Sequence, residues 1–158
     1  MPITSLDYAY HQDVKNKTAI FPASKLEAAI AEICAVDETG QIKRNKVLAL
    51  LRDALQGGHA EVRKRFDKKS SGTMVVRANC FLVDQILKLV FKFVDEEMYP
   101  IGSRSKGESF AVVAVGGYGR GELAPQSDVD LLFLTDGALT LQAEQALGGF
   151  LTFLWDAG

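Results

Sequence analysis

Apolar side chains return every three or four positions in two stretches near the start of the chain, residues 24–40 and about 44–56. This spacing predicts two amphipathic helices, each with one face turned to a core. Ser24 and Glu27 fit a capping box at the start of the first helix. The second helix is expected to end at the glycine pair 57–58, because glycine commonly terminates helices.

A third helix, expected to be the longest, is predicted from about residue 73 to residue 99, and Pro100 is its stop. Its apolar positions keep helical spacing throughout, so Phe81 and Phe93 are expected in the core rather than around a cofactor. The basic run at 63–69, just before this helix, is typical of a solvent-exposed helix face. We assign it no function.

The pattern changes after the third helix. Residues 101–109 contain two glycines and three serines, which indicates a linker. Residues 110–115 are a short apolar run rich in valine, typical of a strand covered on both faces, and residues 129–134 are a second such run. An amphipathic helix is predicted from about Thr140 onwards.

The composition excludes several classes of protein. Of 158 residues, 47% are hydrophobic, which is too many for a disordered chain, and a net charge of −2 gives no electrostatic footprint for nucleic acid. No stretch approaches the roughly 18 apolar residues that a membrane helix needs. Cys34 and Cys80 fall in predicted helices and are expected to be buried free thiols, which suggests a cytoplasmic location.

One window carries nearly all the candidate chemistry. Residues 116–121, after the first strand, hold four glycines in six positions, a density that lets backbone N–H groups approach an anion. Asp128 and Asp130 are one residue apart on the predicted second strand, so their carboxylates are expected on one face, with Val129 and Leu131 facing the core. A divalent cation would relieve the repulsion between them, and beside a triphosphate it is expected to be Mg²⁺.

Two other phosphate-binding motifs can be tested against this window. The chain has no Gly-x-x-x-x-Gly-Lys-Ser/Thr sequence, so a P-loop is excluded. Gly119, Gly121 and Ala124 match a dinucleotide fingerprint in spacing. Pro125 and a new strand follow at once, which leaves no room for the crossover helix of a Rossmann unit.

The same window resembles a known family. Gly-Gly-Tyr-Gly-Arg-Gly-Glu-Leu at 116–123, Pro125, and Ser-Asp-Val-Asp-Leu-Leu at 127–132 are similar to the signature of the bacterial PII uridylyltransferases, members of the polymerase β-like nucleotidyltransferase superfamily. Residues 150–156 resemble the helix that follows the second strand in that family. The resemblance implies transfer of UMP from UTP to a tyrosine of the PII signalling protein, with release of pyrophosphate.

The resemblance also implies a nucleotide-binding group and a catalytic pair that binds metal. The nucleotide phosphates would be contacted by Gly116, Gly117, Arg120 and Ser127. The Mg²⁺ cofactor would be held by Asp128 and Asp130, and catalysis would rest on positioning and charge stabilisation.

Members of that family are several times longer than this chain. They carry a third catalytic carboxylate on a later strand, a hydrolase domain that removes UMP, and C-terminal domains that sense glutamine. The chain is therefore expected to be an N-terminal fragment with an incomplete active site. Two alternatives stay open: a non-catalytic nucleotide-binding or assembly module, and an adenylyltransferase that acts on glutamine synthetase.

The predicted fold class is α+β, a helical N-terminal region followed by the start of a polymerase β-like nucleotidyltransferase sheet. The expected divisions are an irregular segment at 1–22, a helical region at 23–100, a linker at 101–109 and a partial nucleotidyltransferase domain at 110–158. Two strands alone are marginally stable, so the long helix is expected to pack on the sheet. An exposed sheet edge suggests a homodimer.

Overall fold

The computed structural model describes residues 9–100, 110–135 and 137–158 of the chain. The predicted linker lies outside these residues, and the division into domains stays a prediction. The elements in chain order are a 3-10 helix Ala9–Asp13, α1 Lys17–Ile20, α2 Ala23–Ala35, α3 Gly40–Asp67, α4 Gly72–Phe93, a π-helical turn Val94–Met98, β1 Phe110–Ala114, α5 Gly116–Gly119, β2 Leu131–Thr135 and α6 Leu141–Ala157.

The helix starts differ from the predicted ones. Two short helical turns, Ala9–Asp13 and Lys17–Ile20, lie in the segment that was expected to be irregular. α2 begins at Ala23, so Ser24 already lies inside its first turn and cannot form the predicted capping box. A serine caps α4 instead, because the Ser71 hydroxyl accepts a hydrogen bond from the Met74 N–H at 3.3 Å.

α3 is one unbroken helix of 28 residues, so the predicted helix end at 57–58 is wrong. It is also longer than α4, which has 22 residues and was expected to be the longest. Gly58 is buried in the contact between the two helices: a Cβ atom there would lie 2.4 Å from Leu82 Cδ1 and 3.0 Å from the Ile20 carbonyl oxygen. The glycine permits close packing and does not end the helix.

We expect Gly58→Ala to lower the free energy of unfolding by about 1–3 kcal/mol, because Leu82 is fully buried and cannot move aside freely. Gly57→Ala is the matched control, since nothing lies within 4 Å of a Cβ atom at that position. Both variants gain the same helix propensity, so their difference isolates the packing contact. Urea unfolding followed by circular dichroism measures both. A Gly58→Ala variant as stable as Gly57→Ala would contradict this account.

β1 and β2 form an antiparallel pair, with Phe110 opposite Thr135 and Ala114 opposite Leu131. The sheet and its helical surroundings confirm the predicted α+β class. Side chains that face the helices come from alternate positions on both strands and include Val112 and Phe133, which pack against the main core.

The opposite face of the sheet is open over the described residues. Leu132 and Leu134 on β2 are about half exposed, at 47% and 51%. The expectation of strands covered on both faces is therefore wrong for this part of the chain, because the described helices pack on one side of the sheet. The homodimer through the sheet edge stays a prediction.

Phenylalanine rings join α4 and α6 to the sheet. The Phe91 ring of α4 lies 5.5 Å from Phe110 and 5.9 Å from Phe150, and Phe133 lies 6.1 Å from Phe150. Phe81 and Phe93 are buried, as the spacing predicted. The expected packing of the long helix on the sheet is thus present. None of the helices in the described ranges is both long and apolar enough to span a bilayer.

Candidate functional site

A short helical turn follows β1 directly. We call residues 115–124, which contain α5 and the chain after it, the glycine loop. Val115 is extended and Gly116 has φ +61°, so the chain leaves the strand abruptly and enters α5. The turn is held by backbone bonds from Gly119 N–H to the Val115 carbonyl and from Glu122 N–H to the Gly117 carbonyl, each 2.9 Å. The glycine run is thus a compact helical turn.

The carboxylate of Asp130 lies against the backbone of Gly116. A Cβ atom on Gly116 would lie 2.6 Å from Asp130 Oδ2, and the positive φ also disfavours any side chain there. The pairing of the strands explains the contact, since Val115 N–H donates to the Asp130 carbonyl at 3.1 Å, one step beyond the β1–β2 ladder. The structure therefore brings together the glycine run and one of the two predicted aspartates.

The second strand begins later than predicted. β2 starts at Leu131, so Asp128 and Asp130 precede it, and Val129 is 40% exposed instead of facing the core. The cause lies in the opposite strand. β1 ends at Ala114 and the chain turns into α5, so no strand within the described ranges lies opposite residues 128 and 129. Asp128 and Asp130 are both exposed.

Gly116 and Gly117 open α5, where backbone N–H groups have no carbonyl one turn earlier. Among the described residues, neither N–H group donates to a backbone carbonyl outside the helix. Both amides are therefore free to bind an external acceptor.

The two remaining candidate residues lie at the surface. Arg120 donates from Nη1 to the Gly116 carbonyl at 2.9 Å and from Nε to Glu122 Oε2 at 3.1 Å, with about two-thirds of its side chain exposed. Ser127 is exposed, and its N–H donates to the Ala124 carbonyl at 3.1 Å. Arg120 thus braces the glycine loop, and Ser127 closes the turn that leads to Asp128.

Three buried polar side chains of α4 form hydrogen bonds with the glycine loop. Asn79 Nδ2 donates to the Leu123 carbonyl at 3.1 Å, and the Leu123 N–H donates to Cys80 Sγ at 3.3 Å. The Tyr118 hydroxyl donates to Asp84 Oδ1 at 2.5 Å. The loop is therefore attached to α4 at two points, one within α5 and one after it.

Asp84 is the centre of a buried cluster. Its Oδ2 accepts from the Tyr10 hydroxyl at 2.6 Å and lies 2.7 Å from His11 Nε2. Asp84 is 4% exposed and His11 is 3% exposed. Together with Tyr118, these groups give the carboxylate three hydrogen-bonding partners, which offsets its burial.

Sequence analysis did not single out this cluster. A signal was present, because Asn79 and Asp84 interrupt the apolar face of α4 between Ala78 and Ile86. A charged side chain flanked by core positions is rarely buried without partners. What the sequence could not indicate is that the partners are Tyr10, His11 and Tyr118, far away along the chain.

Both cysteines are free thiols, as predicted, although Cys34 is only half-buried. Burial raises the pKa of the Cys80 thiol to about 11, against the opposing effect of the Leu123 N–H. Cys80 is therefore neutral near pH 7 and acts as a weak hydrogen-bond acceptor for the loop, not as a nucleophile.

Comparison with known proteins confirms the resemblance. Residues 83–151, from within α4 to α6, match the family described as nucleotidyltransferase domain. Over 146 residues, the chain is 42% identical to the bifunctional uridylyltransferase/uridylyl-removing enzyme of Azospirillum brasilense and 41% identical to those of Rhodospirillum rubrum and Erythrobacter litoralis. These alignments cover 92% of this chain and 16% of each relative. No solved structure matches the chain.

The similarity reaches beyond the motif window. The relatives align with 92% of the chain, so their likeness includes the helical region before the sheet. The chain spans about one-sixth of the length of these curated relatives.

Proposed function

We propose, from the place of this chain in the family of the bifunctional uridylyltransferase/uridylyl-removing enzymes, that it forms the nucleotide-binding part of an enzyme that transfers UMP from UTP to a tyrosine of a PII-type signalling protein. One observation carries the proposal. The Asp130 carboxylate lies against Gly116, so the groups suited to bind phosphate and those suited to bind metal are adjacent.

The amides of Gly116 and Gly117 are the proposed phosphate ligands, since within the described residues neither N–H group donates to a backbone carbonyl outside the helix. Arg120 is a further ligand for phosphate. Its ion pair with Glu122 is exposed, and exposed ion pairs contribute little to stability. Arg120 can therefore readily exchange the Glu122 carboxylate for a phosphate oxygen. The exposed Ser127 hydroxyl can contact the same phosphates.

Asp128 and Asp130 fit a Mg²⁺ ion. Mg²⁺ is commonly bound through one or two carboxylates together with substrate phosphates. Both carboxylates are exposed, and that of Asp130 lies beside the proposed phosphate ligand Gly116. Within residues 9–100, 110–135 and 137–158, no three acidic, histidine or cysteine side chains form a cluster that could hold a metal. When bound, Mg²⁺ supplies positive charge that offsets the charge on the phosphates.

In the proposed reaction, the tyrosine oxygen forms a bond to the α-phosphorus of UTP, the bond to the pyrophosphate breaks, and the tyrosine proton is lost. The residues of this chain bind and orient the triphosphate for that attack. The third carboxylate, the removal of UMP and the sensing of glutamine are proposed to belong to the remainder of a protein as long as the relatives. The free thiols support a cytoplasmic setting.

Isothermal titration calorimetry with UTP tests the proposal. We expect binding in Mg²⁺ and its loss in EDTA, and the same behaviour in Arg63→Ala, a control whose side chain is exposed on α3. No binding of UTP in Mg²⁺ would overturn the nucleotide site. Tighter binding of ATP than of UTP would favour the adenylyltransferase alternative.

A second assay separates an enzyme from a binding module. The module is the alternative that the two-carboxylate site favours. In a protein as long as the relatives, transfer of label from [α-³²P]UTP to a PII-type protein would exclude the module, whereas binding without transfer would favour it.

A further inference from the structure

The buried cluster around Asp84 takes no direct part in the proposed chemistry, yet it touches the glycine loop at its centre. We propose that Asp84 is a positioning residue that sets the place of the nucleotide-binding turn through the hydroxyl of Tyr118. This inference rests on the proposed function, because the turn that Asp84 holds is the turn assigned to phosphate.

Among the described residues, Tyr118 is the residue of α5 whose side chain bonds to α4. It stands between Gly117 and Gly119, and the side chain is 3% exposed. A glycine-rich turn gains much conformational freedom when it is released, since glycine has the largest backbone entropy. The bond from the Tyr118 hydroxyl to Asp84 Oδ1, at 2.5 Å, ties this turn to α4.

The carboxylate is itself held in place on its other side. Tyr10 and His11 contact Oδ2, and the His11 ring packs edge-on against Phe81, 5.3 Å between centroids. The Tyr10 ring also lies against Gly121, at the end of the turn. Asp84 therefore cannot move with α5 if α5 shifts. The hydrogen bond between Tyr118 and Asp84 thus defines one position for α5.

The position of α5 determines where the proposed ligands lie. The Gly116 and Gly117 amides belong to α5, and Asp130 is placed by its contact with Gly116. A turn that is already fixed before the nucleotide binds loses less entropy on binding than a mobile turn. The Asp84–Tyr118 bond should therefore raise the affinity for nucleotide, although neither residue contacts it.

A matched pair of variants separates positioning from general stability. Tyr118→Phe and Tyr10→Phe each remove one hydroxyl bond to the same carboxylate and keep the ring. We expect similar losses in the urea midpoint of unfolding. In Tyr118→Phe, we expect hydrogen exchange of the amides at 116–121 to be about tenfold faster and the Kd for UTP in Mg²⁺ to be about tenfold higher. In Tyr10→Phe, we expect neither change, because His11 and Tyr118 still hold the carboxylate.

The outcomes distinguish the inference from the proposed function. If the unaltered chain binds UTP and both variants exchange and bind alike, Asp84 is only structural and the inference is overturned. If the unaltered chain fails to bind UTP, the proposed function fails. The exchange data still decide whether Asp84 positions the turn: faster exchange confined to Tyr118→Phe supports it, and equal exchange in the two variants refutes it.

Discussion

Replacing Asp84 with alanine is expected to lower the free energy of unfolding by about 3–5 kcal/mol, a large part of the stability of a domain of this size. The substitution removes the hydrogen-bonding partner that Tyr10, His11 and Tyr118 share, at a site that is 4% exposed. Breaking hydrogen bonds to a buried carboxylate is destabilising, and water has no ready access to replace the carboxylate. Urea unfolding followed by circular dichroism measures the loss.

Asp53→Ala is the control for this prediction. Asp53 is exposed in the middle of α3, so its removal is expected to change stability by no more than about 0.5 kcal/mol. A loss below about 1 kcal/mol in Asp84→Ala would mean that the three donors find other acceptors, and the cluster would then contribute little to the fold.

Local sequence patterns were sufficient to predict the helices that bury an apolar face with helical spacing. The spacing in α4 and α6 identified the helices, and in α4 it placed Phe81 and Phe93 in the core. The candidate site was also found locally, because four glycines and an Asp-x-Asp pair lie within 15 residues of sequence. The family comparison covers these same residues.

Tertiary contacts decided what local patterns could not. Gly57 and Gly58 look alike in sequence, yet Gly57 faces open space and Gly58 lies against Leu82. Neither of them ends α3. The start of β2 likewise depends on where β1 stops, which no residue near Val129 encodes. Asp84 is the clearest case, because its partner Tyr10 lies 74 residues away.

Asp128→Asn and Asp130→Asn are each expected to weaken the binding of UTP in Mg²⁺ by at least about 100-fold and to remove the difference between Mg²⁺ and EDTA. Asparagine keeps the shape of the side chain and loses the charge that attracts the ion. Both positions are exposed, so the variants should unfold at nearly the same urea concentration as the unaltered chain. Calorimetric titration and urea unfolding therefore separate loss of metal from loss of fold.

In a protein as long as the relatives, the same substitutions should reduce uridylyl transfer at least as much as binding, because charge stabilisation during transfer exceeds that of the bound ground state. Glu144→Gln, an exposed acid-to-amide change on α6, is the control that should leave both measurements unchanged. Metal-dependent binding that survives in both aspartate variants would contradict the proposed metal pair, even if UTP still binds to the glycine loop.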